Sequence, residues 1–355
     1  MKGKVAVGMS GGVDSSVAAL ILKEEGYEVI GITLKLSTPE VCSSDVQICC
    51  SPQDVKDAKQ VANYLGIKHY TIDWEDLFKK EVIDYFVNTY KEGLTPNPCV
   101  ICNRKVKTGR LAKYVNLFLE ADYLATGHYI RKSKINNFPV LQRGKDLKKD
   151  QSYFMALIEP DIVNMLLFPL GNLTKEETRE IAQKYKIPVS HKKDSFEICF
   201  TAGLTPAEYL RNNNLINERT GDILHITGKK LGTHKGLSSY TIGQRRGLGI
   251  RWKKPLYVLE KNIENNTIIV GEEEHLYTES VVAGNINLFV PLKYWNKEKI
   301  YIQGRYNQKP VEIKDVSIEK DDIKILFKKK QKKFAPGQIL AVYQDDKLIA
   351  GGIIK

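Results

Sequence analysis

Residues 5–16 restrict the possible folds of this 355-residue chain more than any other stretch. They begin with an apolar, β-rich run, turn through Ser10, Gly11 and Gly12, and continue from Ser15 with helical spacing. A strand, a glycine turn and a helix start in this order bring backbone N–H groups and the positive end of a helix dipole to one point. The stretch therefore predicts an anion site, although a capped turn without a ligand has a similar local sequence. Neither the Walker pattern nor the dinucleotide pattern is present.

The alternation of strand and helix patterns continues to about residue 130. Repeated alternation predicts a parallel, doubly wound sheet, in which ligands bind at the carboxyl ends of the strands. Runs at 27–35, 69–73 and 122–129 have the composition of further strands. This order predicts that the loop after Gly8, the end of the second strand at Leu34, and the Gly127-His128 loop surround one crevice.

The second half of the chain has a different pattern of predicted helices and strands. Residues 150–200 are predicted to be helical and basic, and 220–275 to form short strands with glycine-rich turns. Beyond about 280 only short strands separated by turns are predicted, which is typical of a small β-barrel or sandwich. We therefore expect three domains: 1–203, a small mixed domain at 204–278, and a C-terminal barrel at 279–355.

Charge and hydropathy indicate the kind of partner. Lys and Arg total 54 against 42 Asp and Glu, a net charge of +12. This excess suits a protein that engages a phosphate backbone, although a lysine-rich composition alone has the same effect. Neither a signal peptide nor a run as long as a membrane span is recognisable, so we expect a cytoplasmic protein without membrane contact.

Six cysteines suggest thiol chemistry or metal binding rather than a disulfide scaffold. Cys99 and Cys102 form a Cys-x-x-Cys pair after two prolines, with helical spacing expected to resume after Asn103. A thiol beside a helix N-terminus and basic residues has a lowered pKa. The pair fits a redox dithiol, half of a metal site, or a nucleophile for sulfur transfer. The remaining cysteines, which are possible partners, are Cys42, Cys49, Cys50 and Cys199.

Cys199 has apolar neighbours, which is typical of a cysteine that acts as a small buried hydrophobic residue. A polar loop with Lys192 and Lys193 precedes it, and such a loop is an unusual approach to a core strand.

Several longer motifs, in order along the chain, resemble one enzyme family. They are Ser10 to Ser15, Asn97-Pro98 with Cys102-Asn103, Ala125 to Tyr129, Lys149 to Phe154, Lys192 to Ser195 with Ile198-Cys199-Phe200, Gly243-Gln244-Arg245 with Gly247-Leu248-Gly249, Pro336-Gly337-Gln338 and Gly351 to Ile354. The first resembles the pyrophosphate loop of the ATP pyrophosphatases, and the whole set is similar to the tRNA-specific 2-thiouridylases. The resemblance implies an α/β pyrophosphate-loop domain of the adenine nucleotide alpha hydrolase-like type, a central domain and a β-barrel.

The family resemblance also implies an activity. Its members convert the wobble uridine of certain tRNAs to 2-thiouridine by adenylating the 2-carbonyl oxygen and transferring sulfur from a cysteine persulfide. ATP and Mg²⁺ are the implied cofactors, and tRNA and a sulfur-donor protein, a desulfurase or a sulfur-relay protein, are the implied partners.

Site residues follow from the same resemblance, position by position. Cys199 would carry the persulfide, and Cys102 would be its nucleophilic partner. The implied ATP-binding residues are Gly8, Met9, Ser10, Gly11, Gly12, Val13, Asp14, Ser15, Leu34 and Gly127. The implied tRNA-binding residues are Asn97, Pro98, Cys99, His128, Lys149, Asp150, Gln151, Arg305, Tyr306 and Gln338.

One departure from the family pattern leaves the sulfur route open. Many members have aspartate where this chain has Cys99, so Cys99, Cys102 and Cys199 are three thiols that together suit an iron–sulfur cluster with one open iron. Two other functions remain as alternatives: a small-molecule adenylating ligase on the same fold, and a non-catalytic RNA-binding module.

Overall fold

The computed structural model describes residues 2–36, 52–193 and 198–355. The helices are α1 Val13–Glu24, α2 Pro52–Leu65, α3 Glu75–Phe78, α4 Asp84–Lys91, α5 Pro98–Cys102, α6 Gly109–Leu119, α7 Lys175–Lys184 and α8 Pro206–Asn212. The strands are β1 Lys4–Gly8, β2 Glu28–Lys35, β3 Lys68–Asp73, β4 Tyr123–Ala125, β5 Ile130–Ile135, β6 Phe138–Arg143, β7 Leu166–Leu167, β8 Gly221–His225, β9 Lys230–His234, β10 Tyr257–Asn262, β11 Thr267–Gly271, β12 Tyr277–Leu288, β13 Ile300–Gln303, β14 Val311–Glu319, β15 Asp322–Lys332, β16 Ile339–Gln344 and β17 Lys347–Ile354. Within these ranges, no helix combines the length and apolarity needed to cross a membrane.

The N-terminal part is a parallel sheet with strand order β3-β2-β1-β4-β7. Helices cover both faces of this sheet, as the alternation predicted. Val5 and Val7 pack in the apolar cluster that contains residues of α1, α2 and α7, whereas Ala6 packs in the cluster of α4, α5 and α6. Successive side chains of a strand point to opposite faces, so this division confirms the doubly wound arrangement.

A small central sheet follows, with strand order β10-β11-β8-β9. β11 and β8 are parallel, and the other two pairs are antiparallel. Ile223, Val258, Ile268 and Val270 form the centre of its own small core. This mixed sheet confirms the predicted central domain type.

The C-terminal strands close into a six-stranded barrel. The strand order is β12-β15-β14-β13-β16-β17, and β17 pairs back to β12, which leaves no free edge in the ring. This confirms the predicted barrel.

The sequence prediction missed the hairpin of β5 and β6, which attaches the barrel to the N-terminal part. Lys347 and Leu348 at the start of β17 pair antiparallel with Gln142 and Leu141 of β6. The largest apolar cluster accordingly runs from the N-terminal sheet into the barrel without interruption. The predicted helical region at 150–200 was also partly wrong, because two 3-10 segments, Ser152–Met155 and Pro160–Met165, and the short strand β7 precede α7.

Candidate functional site

The glycine loop that joins β1 to α1 leaves the first turn of α1 available to an anion. Met9 N donates to Ile32 O (2.7 Å), and Ser10 N donates to Ser15 Oγ (3.1 Å), so the loop is held to β2 and to its own helix. Gly12 occupies the N-cap position, and among the described residues no side chain caps the helix there. An uncapped helix start presents backbone N–H donors and the positive end of the dipole, which suits a phosphate group.

Two glycines allow neighbouring segments to approach this loop closely. A Cβ at Gly127 would lie 2.7 Å from Ser15 N, and one at Gly11 would lie 2.3 Å from Asp54 O. The loop after β4 and the start of α2 therefore both pack against the turn. Gly8, Leu34 and Gly127 lie at or just beyond the carboxyl ends of the adjacent strands β1, β2 and β4, which is the predicted arrangement around one crevice.

Asp14 in the first turn of α1 is the centre of a polar network that the sequence prediction missed. Lys175 Nζ donates to both Asp14 carboxylate oxygens, at 2.7 and 2.8 Å, and Tyr129 Oη donates to Asp14 Oδ1 at 2.8 Å. The Lys175 side chain is only 11% exposed. Lys175 is the first residue of α7, where Thr174 and Glu177 form the predicted capping box. A capping box predicts where a helix begins, but it carries no signal for what Lys175 would contact.

Lys192 reaches the same loop from the segment that leads toward Cys199. Its Nζ donates to Gly11 O (3.1 Å), Asp54 Oδ1 (2.6 Å) and Asp57 Oδ2 (2.6 Å). Burial alone would lower the pKa of Lys192, but the hydrogen bonds to Asp54 and Asp57 outweigh burial and hold this pKa above its usual value. Lys192 therefore remains charged and links α2, the glycine loop and the Cys199 segment. Asp194 and Ser195 of that segment lie outside the described residues.

We expect Lys192→Met to lower the free energy of unfolding by about 3–5 kcal/mol, because it removes the cation from two mostly buried carboxylates. The Asp54 and Asp57 side chains are 7% and 14% exposed. Urea unfolding followed by circular dichroism measures the change. Lys230→Met is the matched control, because Lys230 makes an exposed ion pair with Asp222. A loss from Lys192→Met no larger than that of the control would contradict the buried-pair interpretation.

The Cys99-Cys102 pair lies on the short helix α5. This helix begins at Pro98, and Asn97 caps it by accepting a hydrogen bond from Val100 N at 3.3 Å. The expectation that helical structure resumes only after Asn103 was therefore wrong, since an Asn followed by Pro at the first position is itself a helix start. Cys102 is buried and Cys99 is partly exposed.

Cys199 is partly exposed and packs against the same large apolar cluster that contains Cys102. The ring of the next residue, Phe200, contacts Phe86 at 5.1 Å and Tyr209 at 5.3 Å between ring centroids. Burial, with a contribution from Cys199, raises the pKa of Tyr209, so this tyrosine lies close to the thiol. The aromatic rings of Phe86 and Tyr209 therefore pack against one side of the segment that contains Cys199.

The described residues contain no group of three or more His, Cys, Asp or Glu side chains placed to hold a metal ion. Cys99, Cys102 and Cys199 thus do not form the ligand set of a single metal ion in this conformation. The other possible thiol partners, Cys42, Cys49 and Cys50, lie outside the described residues.

The segment just before α5 is where the three parts of the chain meet. Thr95 N donates to Pro336 O (2.8 Å), and Gln338 Nε2 donates to Thr95 O (2.9 Å) and Pro96 O (3.1 Å). Thr95 Oγ1 also donates to Thr241 Oγ1 of the central part at 3.3 Å. The barrel residue Gln338 therefore lies beside the segment that leads into Asn97.

A pair of aromatic residues lies next to the end of α5. The rings of Phe154 and Tyr306 lie 4.5 Å apart, and Asn103 Nδ2 donates to Phe154 O at 3.2 Å. Arg305 is exposed and approaches Gly243, whose Cβ would lie 3.8 Å from Nη2 of Arg305. Residues from the barrel thus contact both the central part and the region around α5.

Two further predicted tRNA positions, His128 and Gln151, lie beside Tyr129, near the glycine loop. Gln151 Oε1 accepts a hydrogen bond from Tyr129 N (3.0 Å), and Thr126 Oγ1 lies 2.8 Å from His128 Nδ1. Burial and the charge of Lys107 lower the pKa of His128 to about 3, so its imidazole is neutral at physiological pH.

Asp150 lies inside the protein rather than on its surface. Its carboxylate accepts hydrogen bonds from Arg143 Nη1 (2.9 Å), Gly144 N (3.1 Å) and Ser152 Oγ (2.8 Å), and its side chain is 5% exposed. It therefore holds the turn that presents Lys149 and Gln151.

Comparison with known families agrees with this architecture. The models described as the tRNA methyl transferase HUP domain, the tRNA methyl transferase PRC-barrel domain and the aminomethyltransferase beta-barrel domain match residues 3–203, 210–272 and 278–354.

Full-length relatives are similar over the entire chain. A protein of Persephonella marina named tRNA-specific 2-thiouridylase MnmA is 63% identical, with 99% of each chain covered. Proteins of the same name from Aquifex aeolicus and a Hydrogenobaculum species are 48% and 49% identical, again with 99% of each chain covered. Identity of this extent, together with the pyrophosphate-loop sheet and the C-terminal barrel, shows that the chain belongs to the tRNA-specific 2-thiouridylase family.

Proposed function

We propose that this protein uses ATP and Mg²⁺ to replace the 2-oxygen of the wobble uridine of tRNA anticodons with sulfur. The observation that carries the proposal is the uncapped start of α1, which lies in the same α/β unit as Cys102 and Cys199. An anion site and a thiol pair in one unit suit an enzyme that activates an oxygen and then displaces it with sulfur.

ATP is required because the oxygen of a uridine carbonyl is a poor leaving group. Adenylation converts this oxygen into part of AMP, which leaves readily. The N–H groups of the loop from Gly8 to Ser15 bind the phosphates, and Lys175 stabilises the charge of the departing pyrophosphate. Asp14 would hold Mg²⁺ if the Lys175 ammonium, which now contacts both Asp14 oxygens, turned to the phosphates, and the ion would neutralise phosphate charge there. Leu34 and Gly127 line the nucleotide position.

The sulfur is carried as a persulfide on Cys199. Its terminal sulfur attacks C2 of the adenylated uridine, and AMP leaves with the former 2-oxygen. The Cys102 thiolate then attacks Sγ of Cys199, the persulfide S–S bond breaks, and the thiolated uridine is released. A Cys102–Cys199 disulfide remains, and an external dithiol supplies the two electrons that reduce it.

A sulfur-donor protein of the cytoplasm reloads Cys199. The alternative route uses an iron–sulfur cluster held by Cys99, Cys102 and Cys199, and the chemistry of three thiols suits such a cluster. The persulfide route needs only the two cysteines of the apolar cluster.

Substrate binding extends over three domains, for which we propose the bounds 1–203, 204–278 and 279–355. A wobble base has to leave its stack to reach Cys199, while contacts elsewhere hold the anticodon arm. Phe154 and Tyr306 offer aromatic faces to unstacked bases, and Arg305 offers charge to a phosphate. The proposed contacts with the target base and its arm are Asn97, Pro98, Cys99, His128, Lys149, Gln151, Arg305, Tyr306 and Gln338. Asp150 contributes indirectly, because it holds the turn that presents Lys149 and Gln151.

Pyrophosphate release measured with and without tRNA tests this function. We expect release only with a tRNA that has uridine at the wobble position, and not with the same transcript carrying cytidine there. Release without any tRNA would favour a small-molecule adenylating ligase. Tight tRNA binding without any release would favour a non-catalytic RNA-binding module.

A further inference from the structure

We propose that His69 and Thr33 are positioning residues that hold the glycine loop in its phosphate-binding shape through the Met9 carbonyl. The inference rests on the proposed binding of ATP at this loop. Neither residue belongs to the loop, and they lie on the two neighbouring strands β3 and β2.

A continuous chain of hydrogen bonds joins the three residues. Thr33 Oγ1 donates to Met9 O at 2.8 Å, and His69 Nε2 lies 2.8 Å from the same Oγ1. Met9 is the first residue after β1 and immediately precedes Ser10. Because Met9 N also donates to Ile32 O at 2.7 Å, both backbone polar groups of this residue are tied to β2 or its side chains.

The proton positions along this chain follow from what each atom is able to donate. A carbonyl oxygen only accepts, so the single hydroxyl proton of Thr33 points to Met9 O. The Thr33 oxygen then accepts from His69, which requires a proton on Nε2. Burial, with a smaller contribution from Lys59, lowers the pKa of His69, so the ring is neutral with Nδ1 unprotonated. The imidazole thus fixes the rotation of the Thr33 hydroxyl.

Gly31 makes room for this arrangement. It pairs in register with His69, and a Cβ at Gly31 would lie 2.6 Å from Met9 Sδ and 3.0 Å from His69 Cδ2. The imidazole and the Met9 side chain therefore both occupy space that only a glycine leaves free. Thr33 itself is 1% exposed, so its hydroxyl has no water to replace either partner. A buried relay of this kind sets the direction in which the chain leaves β1.

The dissociation constant of a non-hydrolysable ATP analogue, measured by calorimetry with Mg²⁺ on the full chain, tests the inference. We expect Thr33→Val and His69→Leu each to weaken binding by about three- to tenfold, as one lost hydrogen bond would. The double variant should bind no more weakly than Thr33→Val alone, because both changes break the same relay. His69→Gln should restore binding, since its amide N–H replaces the Nε2 donor. Thr71→Val, which removes an exposed hydroxyl from β3, is the matched control.

The melting temperature of each variant shows whether weaker binding comes with a loss of stability. Weaker binding at an unchanged melting temperature indicates positioning. Unchanged affinity in Thr33→Val or in His69→Leu overturns the inference, and so does equal weakening in His69→Leu and His69→Gln. If the wild-type protein binds no ATP analogue, the proposed nucleotide site is wrong and the inference fails with it. If the wild type binds and the variants bind equally well, the inference alone fails.

Discussion

Cys199→Ser is expected to abolish 2-thiouridine formation while tRNA-dependent pyrophosphate release continues. Activation of the uridine oxygen needs ATP and the glycine loop, but no thiol, whereas sulfur transfer needs a sulfur atom that can carry a persulfide. A serine hydroxyl cannot replace it. Cys102→Ser should also prevent release of 2-thiouridine without blocking activation, because without a second thiol the uridine stays linked to Cys199 through the transferred sulfur. Mass spectrometry of nucleosides from the reacted tRNA measures the product, and a phosphate-coupled assay measures activation.

Cys99→Asp distinguishes the two sulfur routes in the same assay. Retained thiolation by an iron-free Cys99→Asp protein supports the persulfide route, whereas joint loss of thiolation and protein-bound iron supports a cluster. Cys42→Ser is the matched thiol control and should retain activity. Retained thiolation in Cys199→Ser would contradict the role assigned to this residue in both routes.

Lys175→Met is expected to slow tRNA-dependent pyrophosphate release by about a hundredfold, because removing one preorganised donor to developing charge has an effect of this order. The Lys175 ammonium lies against Asp14 at the start of α1, where the phosphates are proposed to bind. Asp14→Asn should abolish release, since it removes the charge that pairs with Lys175 and the carboxylate proposed to hold Mg²⁺.

Lys145→Met is the control for Lys175→Met. Lys145 makes an exposed ion pair with Glu177, which lies on α7 as Lys175 does. This control variant should release pyrophosphate at the wild-type rate. Circular dichroism verifies that each variant is folded. Wild-type release in Lys175→Met or in Asp14→Asn would contradict the placement of the phosphates at α1.

Local patterns predicted most of the elements around the site. The glycine turn of residues 8–15 and the capping box at Thr174 and Glu177 depend on contacts within a few residues, and both are present in the structure. The helix start at Asn97 and Pro98 is equally local, so its misassignment was an error of interpretation rather than a lack of signal. The β5–β6 hairpin, with its turn at Asn136, also has a local pattern.

The sequence by itself determined the fold class, because strand and helix periodicity are properties of neighbouring residues, and its ordered motifs identified the family. The roles of Cys102 and Cys199 are implied by the resemblance of those motifs and stay a prediction. Only the tertiary structure decided that Lys175 pairs with Asp14, that Lys192 joins two aspartates of α2, and that Asp150 faces inward. Lys175 and Asp14 are 161 residues apart in the chain. A contact over such a separation depends on how the helices pack on the sheet, and no local pattern of residue types records that packing.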